Sequence, residues 1–168
     1  ELFTRCTWKT ETQNGINGYN VIGPNGNSIF VPTAGWYNED DFGVGLQGNA
    51  TYYWTSTLSS SNKIRAYDLV FNDVSGSNDG IIANTRRCGF PIRPVYDDRP
   101  PKRIGVFSVA ADKQVSFSQG NLQYQLSTDE WRFAREQYEY IGAANIKDGA
   151  LADRIDLFGW SGKDSKVP

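Results

Sequence analysis

Tyr52, Tyr53 and Trp54 form a run of rings, and Trp36 with Tyr37 offers a second aromatic edge. Rings of this kind present apolar faces on which a sugar can stack, while nearby Asn and Asp side chains satisfy its hydroxyls. That chemistry makes Trp36, Tyr37, Tyr52 and Trp54 the candidate ligand-binding residues. Consecutive strand residues point to opposite faces, so Tyr53 cannot join both neighbours in one platform. At least one ring of the run therefore belongs to the core.

Glu39, Asp40 and Asp41 are the densest acidic run, and Asp73, Asn78 and Asp79 form another oxygen-rich stretch. Calcium takes several oxygen ligands, but neither stretch supplies the spaced loop of an EF-hand. Asp40, Asp41, Asp73 and Asp79 are thus calcium candidates, with solvated turns the stronger reading, and no other cofactor is expected. Glu136 with Glu139 and Asp153 with Asp156 stand at three-residue spacing. Spacing alone establishes neither a cleft nor the separation that glycoside hydrolysis needs. The chain has no histidine, which rules out a Ser/His/Asp triad and imidazole ligation within it. A noncatalytic role is the expectation. Arg86, Arg87 and Arg93 form a small positive accumulation that ordinary salt bridges would explain.

Cys6 and Cys88 suffice for one bridge, whereas cysteine-based metal clusters need three or four thiolates. Closing that loop would stabilise the fold by roughly 4 kcal/mol in the chain-entropy model. The spacing does not distinguish a disulfide from two buried thiols.

Five Trp, nine Tyr and nine Phe with 17 Gly describe a chain that buries large rings between sharp turns. A net charge of −2 provides none of the positive field that nucleic-acid backbones or anionic membranes attract, so nucleic acid is not an expected partner. No apolar run approaches the roughly 18 residues of a membrane span, and the chain reads as soluble. Met is absent even at position 1, which reads as a processed or truncated product.

The elements that must position these residues are mostly short strands. Glu1 to Trp8 has the spacing of a last helical turn, with Leu2, Phe3 and Cys6 close together. Tyr19 to Ile22 and Ser28 to Val31 flank Gly23-Pro24-Asn25-Gly26 and predict a hairpin. Thr33 to Thr51 reads as a long ordered loop. Tyr52 to Thr57 and Ala66 to Phe71 are expected as neighbouring strands, followed by Ile81 to Asn84. Phe90 to Tyr96 is a strand broken by Pro91 and Pro94. After the polar, proline-rich Asp97 to Arg103, alternation restarts at Phe107, Val115 and Leu122, and Trp131-Arg132-Phe133 suits a hairpin with Leu122 to Leu126. The apolar strands beyond Gly105 have little room for a core of their own and need another surface to dock on.

Several of these stretches together resemble a known family. Gly18-Tyr19-Asn20-Val21, the run from Gly23 to Gly35, Tyr53-Trp54-Thr55-Ser56-Thr57 and Gly89-Phe90-Pro91-Ile92-Arg93-Pro94-Val95 are similar to the major paralogous domain of Fibrobacter and Bacteroidetes surface proteins. Phe107-Ser108-Val109, Val115 to Gln125, Trp131-Arg132-Phe133-Ala134 and Ile155 to Trp160 resemble the entry region of the same proteins, so the order of the halves is reversed. The resemblance implies an α+β, C-type-lectin-like fold, an irregular mixed sheet with long loops and little helix. It implies that residues 1–96 are the C-terminal part of a module, 97–104 a linker, and 105–168 the N-terminal part of a similar module, completing the sheet in cis or by exchange. It further implies an extracellular or outer-membrane-surface location, lipid-anchored through an upstream segment. A glycan or protein surface ligand is then the expected partner. Neighbouring modules, or a second copy by strand exchange, are the alternative partners, suited to a structural tandem repeat.

Overall fold

The computed structural model describes residues 2–38, 43–72, 79–97, 106–110, 113–146 and 154–160. Among the described residues helix is confined to α1 (Leu2–Arg5) and one 3-10 turn at Gly142–Ile146. The predicted terminal helix is thus a single turn, because the chain already extends at Thr7 to pair with a neighbour.

The opening strands β1 (Thr7–Gln13), β2 (Ile16–Ile22) and β3 (Ser28–Pro32) form an antiparallel meander. The predicted hairpin is β2 with β3, in the register Tyr19 to Val31 and Val21 to Ile29. Gly26 turns it with φ 82°, a conformation that a side chain disfavours. The expected loop after Thr33 instead contains β4 (Trp36–Asn38) and β5 (Gly43–Gly45), which pair with each other. Three-residue strands bury too little to leave a sequence period, so they were not legible as strands.

A central sheet follows, made of β6 (Ala50–Leu58), β7 (Arg65–Asn72) and β8 (Gly80–Thr85). Alternation divides its side chains. Tyr53 and Leu69 face the first meander and share a core with Tyr19, Val21, Ile29 and Val31, while Tyr52, Trp54, Asp68 and Val70 face the other way.

Later strands are short: β9 (Gly89–Phe90), β10 (Val95–Asp97), β11 (Val106–Ala110), β12 (Lys113–Phe117), β13 (Leu122–Gln125), β14 (Glu130–Phe133), β15 (Arg154–Ile155) and β16 (Phe158–Gly159). They pair across the chain. β10 lies beside β12 with Val95 opposite Phe117, and β9 lies beside β16 with Phe90 opposite Phe158. Phe107 and Val115 join the core of Tyr19 and Tyr53, burying apolar area worth roughly 1.5–3 kcal/mol per large side chain. At Gly23 the fit is tight, since a Cβ there would lie 2.6 Å from the Ser108 carbonyl oxygen.

Among the described residues the architecture is therefore β-rich with very little helix, in five small open sheets. Every strand pairing among the described residues is antiparallel, so the expected mixed sheet is replaced by small antiparallel ones. Among the described residues the helical content is too small to make a separate α layer. No helix among the described residues is long and apolar enough to cross a membrane.

Candidate functional site

The predicted rings gather around Phe90, which is fully buried. Tyr52 and Trp54, two residues apart on β6, both reach it, at ring-centre distances of 5.2 and 4.2 Å. Trp36 on β4 completes the group, 5.8 Å from Tyr52. Tyr37 points away from Trp36 and lies opposite Gly89. Trp36, Tyr37, Tyr52 and Trp54 are each half-buried, and Tyr53 is buried in the core on the other side of the sheet. The alternation that split the run thus sends Tyr53 inward and packs its neighbours on Phe90.

Beside this group lies a buried carboxyl. Asp68 sits opposite Trp54 and is fully buried, with the Asn84 amide donating to its oxygens at 3.1 and 3.2 Å. Burial pushes its carboxyl up to about 7, against the opposing pull of Asn84. Burial likewise raises the Tyr52 hydroxyl, with the charge of Asp68 and then that of Cys88 adding to it. Cys88 therefore belongs to this side of the central sheet, whereas Cys6 packs against the Tyr19 core on the other. The two stand as separate thiols rather than as a bridge, because the sheet lies between their clusters.

A second aromatic group was not singled out from the sequence. Trp131 on β14 lies opposite Tyr124 on β13, with ring centres 4.8 Å apart, and Phe158 is 5.5 Å from Trp131. Trp131 is 60% exposed and Phe133, on the same face, 38%. The reverse face carries Gln123, which is buried and whose Oε1 accepts from Arg132 Nε at 3.0 Å and Nη2 at 2.9 Å. This sheet turns a polar face inward and an aromatic face outward. An acceptor borders the open rings, since Tyr124 donates its hydroxyl to Asp129 at 2.8 Å. The available sequence signal was the alternation of Tyr124 with polar residues, and its outward direction depends on what the partner surface leaves uncovered.

Trp54 also lines a mostly apolar cleft of about 620 Å³, together with Val31, Ile92, Arg93, Pro94 and Trp160. Two indoles brace its rim: Trp54 Nε1 donates to the Phe158 carbonyl at 2.7 Å and Trp160 Nε1 to that of Thr55 at 3.0 Å. The volume falls within the usual range of small-molecule sites.

Of the calcium candidates, Asp40, Asp41 and Asp73 lie outside the described residues. Asp79 is exposed and accepts from the Asn72 amide at 2.9 Å, as a turn residue does. Among the described residues no three of His, Cys, Asp and Glu gather as a metal site. Asp156 is fully buried, and accepts from the Ile141 amide and the Asn145 side chain at 2.8 Å each. Its carboxyl is raised by burial, and these bonds tie the 3-10 turn to β15. Asp153, with which it was paired by spacing, lies outside the described residues. No family model, curated protein or solved structure matches the chain.

Proposed function

We propose that the protein is a noncatalytic recognition module whose outward aromatic face on β13 and β14 stacks on the sugar rings of a surface glycan. The observation that carries this reading is the 60% exposure of Trp131 within a row that runs through Tyr124 and Phe158. Leaving a large ring in water forfeits burial energy, and contiguous exposed apolar patches on soluble proteins mark binding sites. The adjacent Asp129 carboxylate, which accepts from Tyr124, offers an acceptor for sugar hydroxyls. The resemblance to exported surface domains of C-type-lectin-like type supports an extracellular or bacterial-surface setting for such a module.

A second reading is a structural or assembly module of a surface protein. It draws on the pairing of β10 with β12 and of β9 with β16, in which late strands complete sheets that early strands begin. A neighbouring copy could supply the same strands.

One experiment separates the two. Neutral oligosaccharides are titrated into the wild-type chain and Trp131→Ala, with mass measured across concentration. Recognition predicts a monomer that binds at least one saccharide, with about tenfold loss in the variant. No saccharide binding together with concentration-dependent oligomers would favour assembly and overturn the recognition reading.

A further inference from the structure

The 620 Å³ cleft has a cation in its wall, Arg93, that no carboxylate among the described residues pairs with. Arg93 Nε donates to Asn121 Oδ1 at 3.0 Å, and one Nη donates to the Gln137 carbonyl at 3.2 Å. The same Asn121 oxygen accepts the Tyr53 hydroxyl at 2.9 Å. The remaining Nη1 of Arg93 is buried and meets no acceptor among the described residues, and neither does Asn121 Nδ2. Turning the Asn121 amide over does not cure this. A guanidinium can only donate, so the amide oxygen must face Arg93, and the surplus of donors persists.

No carboxylate is paired with Arg93 among the described residues. Burial pulls its ionisation downward and only Tyr53 opposes that. Guanidinium nevertheless stays protonated at any ordinary pH. A largely buried charge with no carboxylate partner is costly, and Arg93 lines the cleft beside Trp54, Trp160, Ile92 and Pro94.

We infer that this cleft binds an amphipathic organic carboxylate, its apolar body against Trp54, Trp160 and Ile92 and its carboxylate on Arg93. A water molecule would accept one hydrogen bond but leave the charge uncompensated. A phosphate would bring more charge than a single guanidinium balances. A monocarboxylate matches the one positive charge, and charge-assisted bonds of this kind are about twice as strong as neutral ones. The site is separate from the outward aromatic face, and the glycan reading can fail without affecting it.

The test uses two matched pairs, dodecanoate with dodecanol below micelle concentrations, and 2-naphthoate with 2-naphthalenemethanol. Binding is followed by calorimetry and by the fluorescence of Trp54 and Trp160. At least one acid binds at least tenfold more tightly than its alcohol to the wild-type protein, and Arg93→Met abolishes the difference. Equal affinity of acid and alcohol, no binding of either acid, or an undiminished acid preference in folded Arg93→Met would each overturn the inference. The comparison of acid with alcohol requires no variant, so it stands even where Arg93→Met does not fold.

Discussion

The ring group around Phe90 and the ring row through Trp131 are built from similar residues in opposite situations. Tyr52, Trp54 and Trp36 close on a phenylalanine that water does not reach, whereas Trp131 caps a sheet whose buried side is the polar one. An aromatic run in a strand says that rings will alternate between two faces. What lies over each face decides whether a ring holds the fold together or is available to a ligand.

The largest expected difference between the two groups is in stability. Phe90→Ala empties a site with no solvent to refill it and costs about 3–5 kcal/mol, while Trp131→Ala changes stability by no more than about 1 kcal/mol. Urea unfolding of both variants checks this. Equal losses would show that Trp131 is a packing residue and would remove the contrast.

A smaller effect sharpens the account of the closed group. Asp68 holds its proton up to about pH 7 in the folded protein, against 3.8 as the ordinary value. The folded state therefore binds the proton more tightly than the unfolded chain. Its contribution to stability is greatest below about pH 4, declines as pH rises to about 7, and is then constant, a loss of no more than about 4 kcal/mol. Asp68→Asn flattens that slope relative to the wild-type protein, measured by denaturation at a series of pH values. An unchanged slope in the variant would contradict the burial assigned to this carboxyl.

Much of the scaffold is legible in the residues. Gly23-Pro24-Asn25-Gly26 between alternating runs marks the β2–β3 hairpin, and Leu122 to Leu126 with Trp131 to Phe133 marks β13 and β14. The separation of Tyr53 from Tyr52 and Trp54 follows from strand geometry alone. Less legible are the short strands β4 and β5, which pair with each other over only three residues each, β4 alone also meeting a distant partner at Gly89. The open row escaped for a physical reason: strand alternation shows that Trp131 shares a face with Phe133 but not which face the rest of the molecule covers. Arg93 was read as an ordinary salt-bridge residue. Its lack of a counter-ion among the described residues is a property of three-dimensional surroundings that no local pattern encodes.

The five tryptophans allow both groups to be observed in one spectrum, through their indole N–H resonances. With each indole assigned by single Trp→Phe variants, a saccharide that binds the protein is added in steps. The Trp131 resonance should shift progressively and to the greatest extent, with Trp36 unmoved. A titration that moves Trp36 and Trp54 while leaving Trp131 in place would contradict the assignment of recognition to the outward face.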